Sequence, residues 1–566
     1  MNKKALLVFI ACVLPGAGAI SFSQNFQWAR SFGSSGSVEY GMSVALDAGG
    51  NVFTAGTFAG GVDFDPGPAV YNINSQGVED VYISKLSSSG NFVWAKSIGG
   101  SNFDYGYAIA VDASGNVYVT GTFQGTVDFN PGAGVFSLTA NMDDIFILKL
   151  DNAGNFIWAR AMGGTNNNFS YSIATDDSCN VYITGRLQGT TDYDPGPGVF
   201  NLTSAGMSDV FVCRLDSSGS FDWARAMGGT GNDYGYSLCV DASGNVYSTG
   251  YFVGTADFDP GSGTVNLVTP GNNADIFISK LDATGNFVFA KSMGGTSDDI
   301  AYAIATDASG SIYSTGYFKG TADFDPGTGT SNLTAAAFNG DVFISKLDNS
   351  GNFTWAKRIG GITGQEGKSI ALDVSGNVYT TGYFYNTVDF DPGAGTFNLA
   401  DAGNGDIFIS KLDASGNFVW AVSMGASFPE RSNALAVDAA GYIYTTGTYY
   451  TTVDFDPGPG VFNLTAVGGQ DIFVHKLGQV ISSVEDLNGS LEVKIFPNPG
   501  NGKFQVCFAG GNAELDVFTL SGEKAAQMTV EGPQAEIDMS GYSKGVYFIR
   551  LRRQEAVSGA MKIVIY

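Results

Sequence analysis

The sequence predicts an all-β chain: a seven-bladed β-propeller closed by its own N-terminal strand, followed by a small β-sandwich. Three observations carry that expectation. Composition is the first: of 566 residues 79 are glycine, only 14% are charged and 13% are aromatic, a mixture that suits many short strands joined by tight turns. The second is an internal repeat, and the third is the order in which its strands begin and end.

Trp28, Trp94, Trp158, Trp223, Phe289, Trp355 and Trp420 occupy equivalent places about 65 residues apart. Four strand-like segments recur with that period, for example Tyr107 to Val111, Asn116 to Phe123, Asp144 to Leu150 and Asn155 to Ala159. The third and fourth are apolar on both alternating sides, so both faces of each small sheet are covered. The first alternates with alanines, small residues suited to sheets that crowd toward an axis. Radially packed four-stranded sheets satisfy both features, with a stacked linear solenoid as the rival. Each of the first three segments occurs seven times, the last set ending at Leu477, whereas the seventh copy of the fourth lies at the start, Asn25 to Arg30. The N-terminal strand is therefore expected to complete the last blade and leave no free edge.

Turns of the form Asp-x-x-Gly-Asn join the first strand to the second (Asp241 to Asn245) and the third to the fourth (Asp282 to Asn286). Asp bonds the following backbone and Gly takes positive φ, so these read as hairpin turns. The second-to-third connections are longer, about twenty residues each. Because strands alternate direction, these and the fourth-to-first connections are expected on one face, the candidate binding surface.

The long connections carry acids two residues apart: Asp63 and Asp65, Asp128 with Asn130, Asp192 and Asp194, Asp257 and Asp259, Asp323 and Asp325, Asp389 and Asp391, Asp454 and Asp456. Oxygen ligands at that spacing suit Ca²⁺, which makes these acids the candidate metal ligands and Ca²⁺ the one candidate cofactor. Each loop offers only two carboxylates, however, and Asp-Pro-Gly is itself a turn signal, so a capping or solvated turn is the plainer reading. Tyr105, Tyr234, Tyr251, Tyr383, Tyr449 and Tyr450 accompany the loops; flat rings beside acids suit a carbohydrate surface, and packing is again the plainer reading.

The chain carries 28 Lys and Arg against 54 Asp and Glu, a formal charge of -26 with no basic block, which argues against a nucleic-acid partner. His475 is the one histidine, which removes Ser/His/Asp and Cys/His catalysis as supported options and excludes multi-histidine metal sites. Cys179, Cys213, Cys239 and Cys507 show no CxxC spacing and read as small buried hydrophobes, one bridge being the alternative. A Gly-x-Ser-x-Gly match at Gly541 to Gly545 has no histidine near it in sequence. Carboxylate-pair glycosidase chemistry needs only two acids, but these acids recur in every repeat where a catalytic site needs a singular constellation. The expectation is a monomeric, non-enzymatic binding or adhesion scaffold for glycan or protein ligands, with a carboxylate-dependent glycan-active hydrolase or a purely structural surface protein as alternatives.

Residues 1–23 hold Lys3 and Lys4, an apolar run from Ala5 to Leu14 and Ala17-Gly18-Ala19, the pattern of a secretory signal peptide. That run is too short to span a membrane, and no later stretch qualifies. The propeller is expected over 24–478, a polar linker over 479–492 and the terminal unit over 493–566. This unit carries Phe496-Pro497-Asn498-Pro499 followed by Gly502, Val517 to Gly522, Ile537-Asp538 leading to Gly545-Val546-Tyr547, and Lys562. On these motifs it resembles the type A C-terminal sorting domain of the type IX secretion system of Bacteroidota, although Thr519 stands where that family usually has Asp. The resemblance implies engagement of the type IX machinery, export across the outer membrane, and release or attachment at the cell surface. Residues 25 to 478 resemble the SBBP-type β-propeller repeat of bacterial secreted proteins, with Asp112-Ala113-Ser114-Gly115-Asn116 and Asp413-Ala414-Ser415-Gly416-Asn417 as markers. That resemblance implies a propeller scaffold outside the cell and no particular activity.

Overall fold

The computed structural model describes residues 23–36, 38–336, 339–480, 493–496, 502–508, 512–519, 524–530, 534–553, 556–557 and 561–565. The expected signal peptide and linker lie outside the described residues, apart from Ser23, Gln479 and Val480, as do Pro497, Asn498, Pro499 and Gly522 of the sorting motif. Two compact units are present, Gln24–Gln479 and a second that contains Val480–Tyr566. Every regular element among the described residues is a strand.

In the large unit each repeat is an antiparallel four-stranded meander, as in Phe169–Thr175, Val181–Leu187, Asp209–Leu215 and Phe221–Gly229. Its third strand is buried on both sides because alternate residues enter two different cores. Phe211, Cys213 and Leu215 pack with Tyr118, Ile147 and Trp158 of the preceding repeat, while Val210 and Val212 pack with Val246, Phe252 and Phe277 of the following one. Each such side chain contributes about 1.5–3 kcal/mol on burial, so a sheet lacking either neighbour would lose half its core. The fold is thus propeller-like, one sheet leaning on the next. The first strands Tyr40–Leu46, Tyr105–Val111, Phe169–Thr175, Tyr234–Val240, Asp299–Thr306, Glu366–Leu372 and Arg431–Val437 lie side by side in that order, and the last also lies against the first. Strand Ser23–Phe32 joins the sheet of Asn463–Val480, Ile443–Asp454 and Arg431–Val437.

The short turns form as their residues dictate. Asp241 Oδ1 accepts the Ser243 and Asn245 amides, both at 2.9 Å, its Oδ2 accepts the Asn245 side chain at 2.8 Å and the Tyr247 hydroxyl at 3.0 Å, and Gly244 has φ +79°. In the third repeat Cys179 holds the glycine position, with φ 61°.

The long connections depart from expectation. Each folds into a small hairpin, such as Thr190–Asp192 with Asn201–Thr203. Its first strand pairs with Gly163 and Gly164, the end of the preceding repeat's outer strand. Phe200, just before its second strand, packs with ring centroids 4.8 Å apart against Phe221, the first residue of its own repeat's outer strand. The same pairing recurs at Gly228 with Asp257, Gly294 with Asp323 and Gly360 with Asp389. Radially packed sheets diverge outward, and the hairpin fills that gap instead of standing free on a face.

The second unit has one sheet of Val493–Phe496, Lys503–Phe508 and Gln534–Asp538, and another of Lys524–Val530, Ala513–Thr519, Gly545–Arg553 and Ala556–Val557, with Met561–Ile565 beside Gly545–Arg553. Phe504, Val506 and Ile537 of the first share a core with Leu515, Val517, Ile549 and Leu551 of the second, as a two-layer sandwich requires. Asp516, buried, is held by Lys524 at 2.6 Å and Arg552 at 2.7 Å.

Candidate functional site

The paired acids are built into turns. Asp257 Oδ1 accepts the amides of Asp259 at 3.0 Å and Val265 at 2.8 Å, and Asp259 Oδ1 accepts that of Gly261 at 2.8 Å. Asp63 with Asp65, Asp192 with Asp194, Asp323 with Asp325, Asp389 with Asp391 and Asp454 with Asp456 repeat this arrangement, and Asn130 stands in for the second acid beside Asp128. The two acids of a pair are placed differently along the outer strand. The Asp259 to Gly263 stretch lines a cavity with Gly285, Asn286 and Phe287, and Asp65 to Pro68 one with Gly90, Asn91 and Phe92. The second acid and the Pro-Gly that follows it therefore reach the short third-to-fourth turns, whereas the first acid stays paired with the end of the preceding outer strand, as Asp257 does with Gly228. Among the described residues no group of three or more His, Cys, Asp or Glu is placed to hold a metal ion.

The constellation that breaks the repeat lies instead where the fourth-to-first connections enter the inner strands. The third position after the start of those strands reads Met42, Tyr107, Tyr171, Tyr236, Tyr302, Lys368 and Asn433. The four tyrosines form an arc across consecutive repeats, each ring centroid 5.4 Å from the next at mutual tilts of 48° to 64°. The Lys368 ammonium continues it, 3.6 Å from the Tyr302 centroid and 2.5 Å from Glu366. Two positions earlier stand Tyr105, Phe169, Tyr234, Ile300, Glu366 and Arg431. Arg186 lies 4.0 Å over Phe169 and donates from Nη1 to the Tyr234 hydroxyl at 2.6 Å, while Arg431 lies 4.8 Å over Tyr383.

Electrostatics keep this surface polarised yet internally compensated. Burial pushes the Glu366 carboxyl up, but the Lys368 ammonium and the Tyr383 and Tyr302 hydroxyls outweigh it and hold the group below its usual range, ionised. Burial lowers Lys368 against the pull of Glu366. Burial also pushes the Tyr107 and Tyr236 phenols up to about 12, so both remain neutral hydrogen-bonding groups.

Of the tyrosines singled out in the sequence, Tyr105, Tyr234, Tyr251 and Tyr383 belong to this cluster: Tyr251 lies 4.9 Å from Tyr234 and 5.8 Å from Tyr236. Tyr449 is fully buried, 5.4 Å from Phe455, and Tyr450 bonds Gln470 at 2.5 Å away from the arc. Tyr107, Tyr171, Tyr236, Tyr302, Arg186, Glu366, Lys368 and Arg431 were not singled out, although lining up the seven first segments exposes the change from tyrosine to lysine. His475 is fully buried with Nδ1 3.4 Å from the Thr445 hydroxyl, in the place of the Ser248–Ser279 and Ser314–Ser345 hydroxyl pairs. Burial pushes its pKa down to about 3. Cys179, Cys213 and Cys239 are free thiols.

The fold and site so far define a repeat protein of radially packed four-stranded sheets with one asymmetric aromatic mouth. Comparison with known proteins adds its address. Residues 494–566 match the secretion system C-terminal sorting domain, and residues 93–122 match the β-propeller repeat of the SBBP family. The protein is thus secreted and displayed at the cell surface through type IX export, and no helix among the described residues is long and apolar enough to cross a membrane. In an alignment of 511 positions that covers 76% of this chain it is 26% identical to an uncharacterized WD repeat-containing protein of Acanthamoeba polyphaga mimivirus, and in one of 371 positions that covers 62% it is 25% identical to the regulatory protein FlaEY of Caulobacter vibrioides. It spans only 36% and 38% of those relatives. Sqt1 of Chaetomium thermophilum is a solved structure with a TM-score of 0.37 at 10% identity, covering 79% of this chain and 86% of that one.

Proposed function

We propose that the protein is a surface-displayed binding scaffold, a closed ring of seven blades that takes a glycan on its tyrosine arc without turning it over. One observation carries this reading: Tyr107, Tyr171, Tyr236 and Tyr302 stand in a row at 5.4 Å intervals in the place where the repeat is broken. Successive flat rings offer apolar faces to the C–H faces of sugars, and the flanking Glu366, Lys368 and Arg431 offer the few directional polar groups a site needs for orientation. Ring closure is supported by the N-terminal strand sharing a sheet with the last three strands of the large unit. Non-catalytic use is supported by the engagement of the repeated acids in their own turns.

A glycan array probed with the mature chain, its Tyr171→Ala and Tyr236→Ala variants, and a parallel glycoside-hydrolysis assay test the reading. The expected result is glycan binding weakened at least about tenfold in both variants, with no turnover. Binding untouched by either substitution, or hydrolysis abolished by a single acid substitution, would overturn it. Protein capture lost in the same two variants would keep the site and replace the ligand.

A further inference from the structure

Where one sheet meets the next, two acidic side chains are buried together. One opens the third strand: Asp80, Asp209, Asp275, Asp406 and Asp471, each at most 3% exposed. The other stands at the entry to the following repeat's first strand: Asp104, Asp233, Asp299, Glu430 and Glu39, each at most 1% exposed. In sequence the members stand 24 residues apart, as in Asp275 and Asp299, and the last acid, Asp471, meets Glu39. The members cap connections, some with one oxygen and Asp80, Asp104 and Asp233 with both. Asp209 Oδ2 accepts the Ala205 amide at 2.8 Å, while Asp233 accepts those of Gly229 at 2.7 Å and Val253 at 2.9 Å. The two carboxyls crowd one point, since a Cβ on Gly228 would fall 2.6 Å from Asp209 Cγ and 2.8 Å from Asp233 Oδ2.

The oxygens left over are the informative ones. Asp275 Oδ1 and Asp299 Oδ2, Asp406 Oδ1 and Glu430 Oε1, and Asp471 Oδ1 and Glu39 Oε2 are buried without a hydrogen-bond partner. Few charged groups face them. Asp298 and Lys319 lie near Asp275 and Asp299, Asp401 near Asp406, and the Tyr449 phenol near Asp471. The chain's own repeats supply a control. At the two remaining junctions the second acid is an amide, Asn168 beside Asp144 and Gln365 beside Asp341, and Asp341 additionally takes Arg358 at 2.5 Å. These amides donate to the Asn166 and Thr363 carbonyls and not to the acid, and Asp144 Oδ1 and Asp341 Oδ1 stay without a partner, so the position does not require a second negative charge.

We propose that three of these pairs, Asp275 with Asp299, Asp406 with Glu430 and Asp471 with Glu39, each bind one proton at neutral pH, held as an O–H donated from one carboxyl to the other, and that the junctions they occupy loosen as these protons leave with rising pH. Two carboxylates buried side by side cannot both ionise at little cost. Burial, then the neighbouring carboxylate, raises Asp275 to about 8, and burial raises Asp299 to about 7; Glu430 is raised to about 8 and Glu39 to about 7, both chiefly by burial. The sign follows: folded-state pKa values above the unfolded ones make this contribution complete below the unfolded values of about 4 and remove it progressively as pH rises to the folded values of about 7 to 8.

All six tryptophans belong to the repeats, so tryptophan fluorescence of the mature chain reports this unit alone. Its melting temperature should fall by several degrees between pH 6.5 and 9, a window in which folded His475 stays neutral. The double variant Asp299→Asn, Glu430→Gln, which installs the amides found at the other two junctions, should melt higher than the parent at pH 9 and show a shallower slope. Infrared spectra at pH 7 should contain a protonated-carboxyl C=O band that weakens in the variant. A parent whose melting temperature is flat or rising over this window, a variant parallel to the parent, or no such band would overturn the proposal. So would a melting temperature raised by Ca²⁺ at pH 8 in the parent alone, which would make the pair a cation site.

Discussion

The indole N–H of Trp28 donates to the carbonyl oxygen of Ser88 at 3.2 Å, tying the N-terminal strand to a turn 60 residues downstream. Trp94 does the same to Asn152 at 3.1 Å, Trp158 to Ser217 at 3.4 Å and Trp223 to Ala283 at 3.3 Å. Arg30 adds a bond from Nε to Gly90 at 2.7 Å, as Arg160 does to Gly219 at 2.8 Å. By every one of these contacts Ser23–Phe32 plays the part of an outer strand. Trp28→Ala should therefore cost about 3–5 kcal/mol in urea unfolding, the range for a large aromatic removed from a core. A chain beginning at Gly33 should lose more, and a loss below about 1 kcal/mol in either would contradict the strand's assigned part.

Cys179 is the one non-glycine among seven equivalent turn positions, the others being Gly50, Gly115, Gly244, Gly310, Gly376 and Gly441, all at φ between +73° and +82°. A left-handed conformation costs an L-residue about 1–2 kcal/mol, part of which glycine returns as unfolded-state entropy. Cys179→Gly should raise stability by about 1 kcal/mol in chemical denaturation; a decrease would mean that the thiol makes contacts worth more than the strain.

Asp257 organises its turn through two backbone amides, and substituting alanine leaves both unpaired. Asp257→Ala should cost about 1–3 kcal/mol. If capping is what the paired acids do, millimolar Ca²⁺ or a chelator should leave the neutral-pH melting temperature of the parent unchanged, and calorimetry should register no Ca²⁺ uptake. Uptake abolished in Asp257→Ala would restore the metal reading.

His475 has a folded-state pKa depressed by burial to about 3, against about 6.5 unfolded. Protons bind the unfolded chain first as pH falls below about 6.5, so this residue removes stability progressively toward pH 3. His475→Ser, which restores the hydroxyl pair of the other repeats, should leave the melting temperature at pH 8 nearly unchanged and reduce the loss between pH 6.5 and 4. An equal acid loss in both proteins would show that the imidazole is protonated in the folded state.

Much of the architecture was legible because it is written in local chemistry. Asp-x-x-Gly-Asn turns and two-sided apolar strands specify the meander, and the missing fourth segment after Leu477 pointed to Asn25 through Arg30. The path of the long connections was not legible, since the pairing of Asp192 with Gly163 depends on a gap between neighbouring sheets that exists only once they are packed. Lys368 and Tyr302 escaped notice for another reason: treating the repeats as equivalent hides the positions at which they differ. The buried carboxyl pairs went unread because their members belong to adjacent repeats and meet only across the junction.

Strand Asn463–Val480 is flanked by Ser23–Phe32 on one side and Ile443–Asp454 on the other, and it leads out of the repeat unit toward the sorting domain. Tension entering at Val480 therefore runs along a strand clamped by two hydrogen-bonded ladders. It must shear both together where an edge strand would unzip bond by bond, so resistance to being pulled apart is set by an unfolding rate. The N-terminal strand thereby acts as a mechanical latch on the strand that leaves the repeat unit.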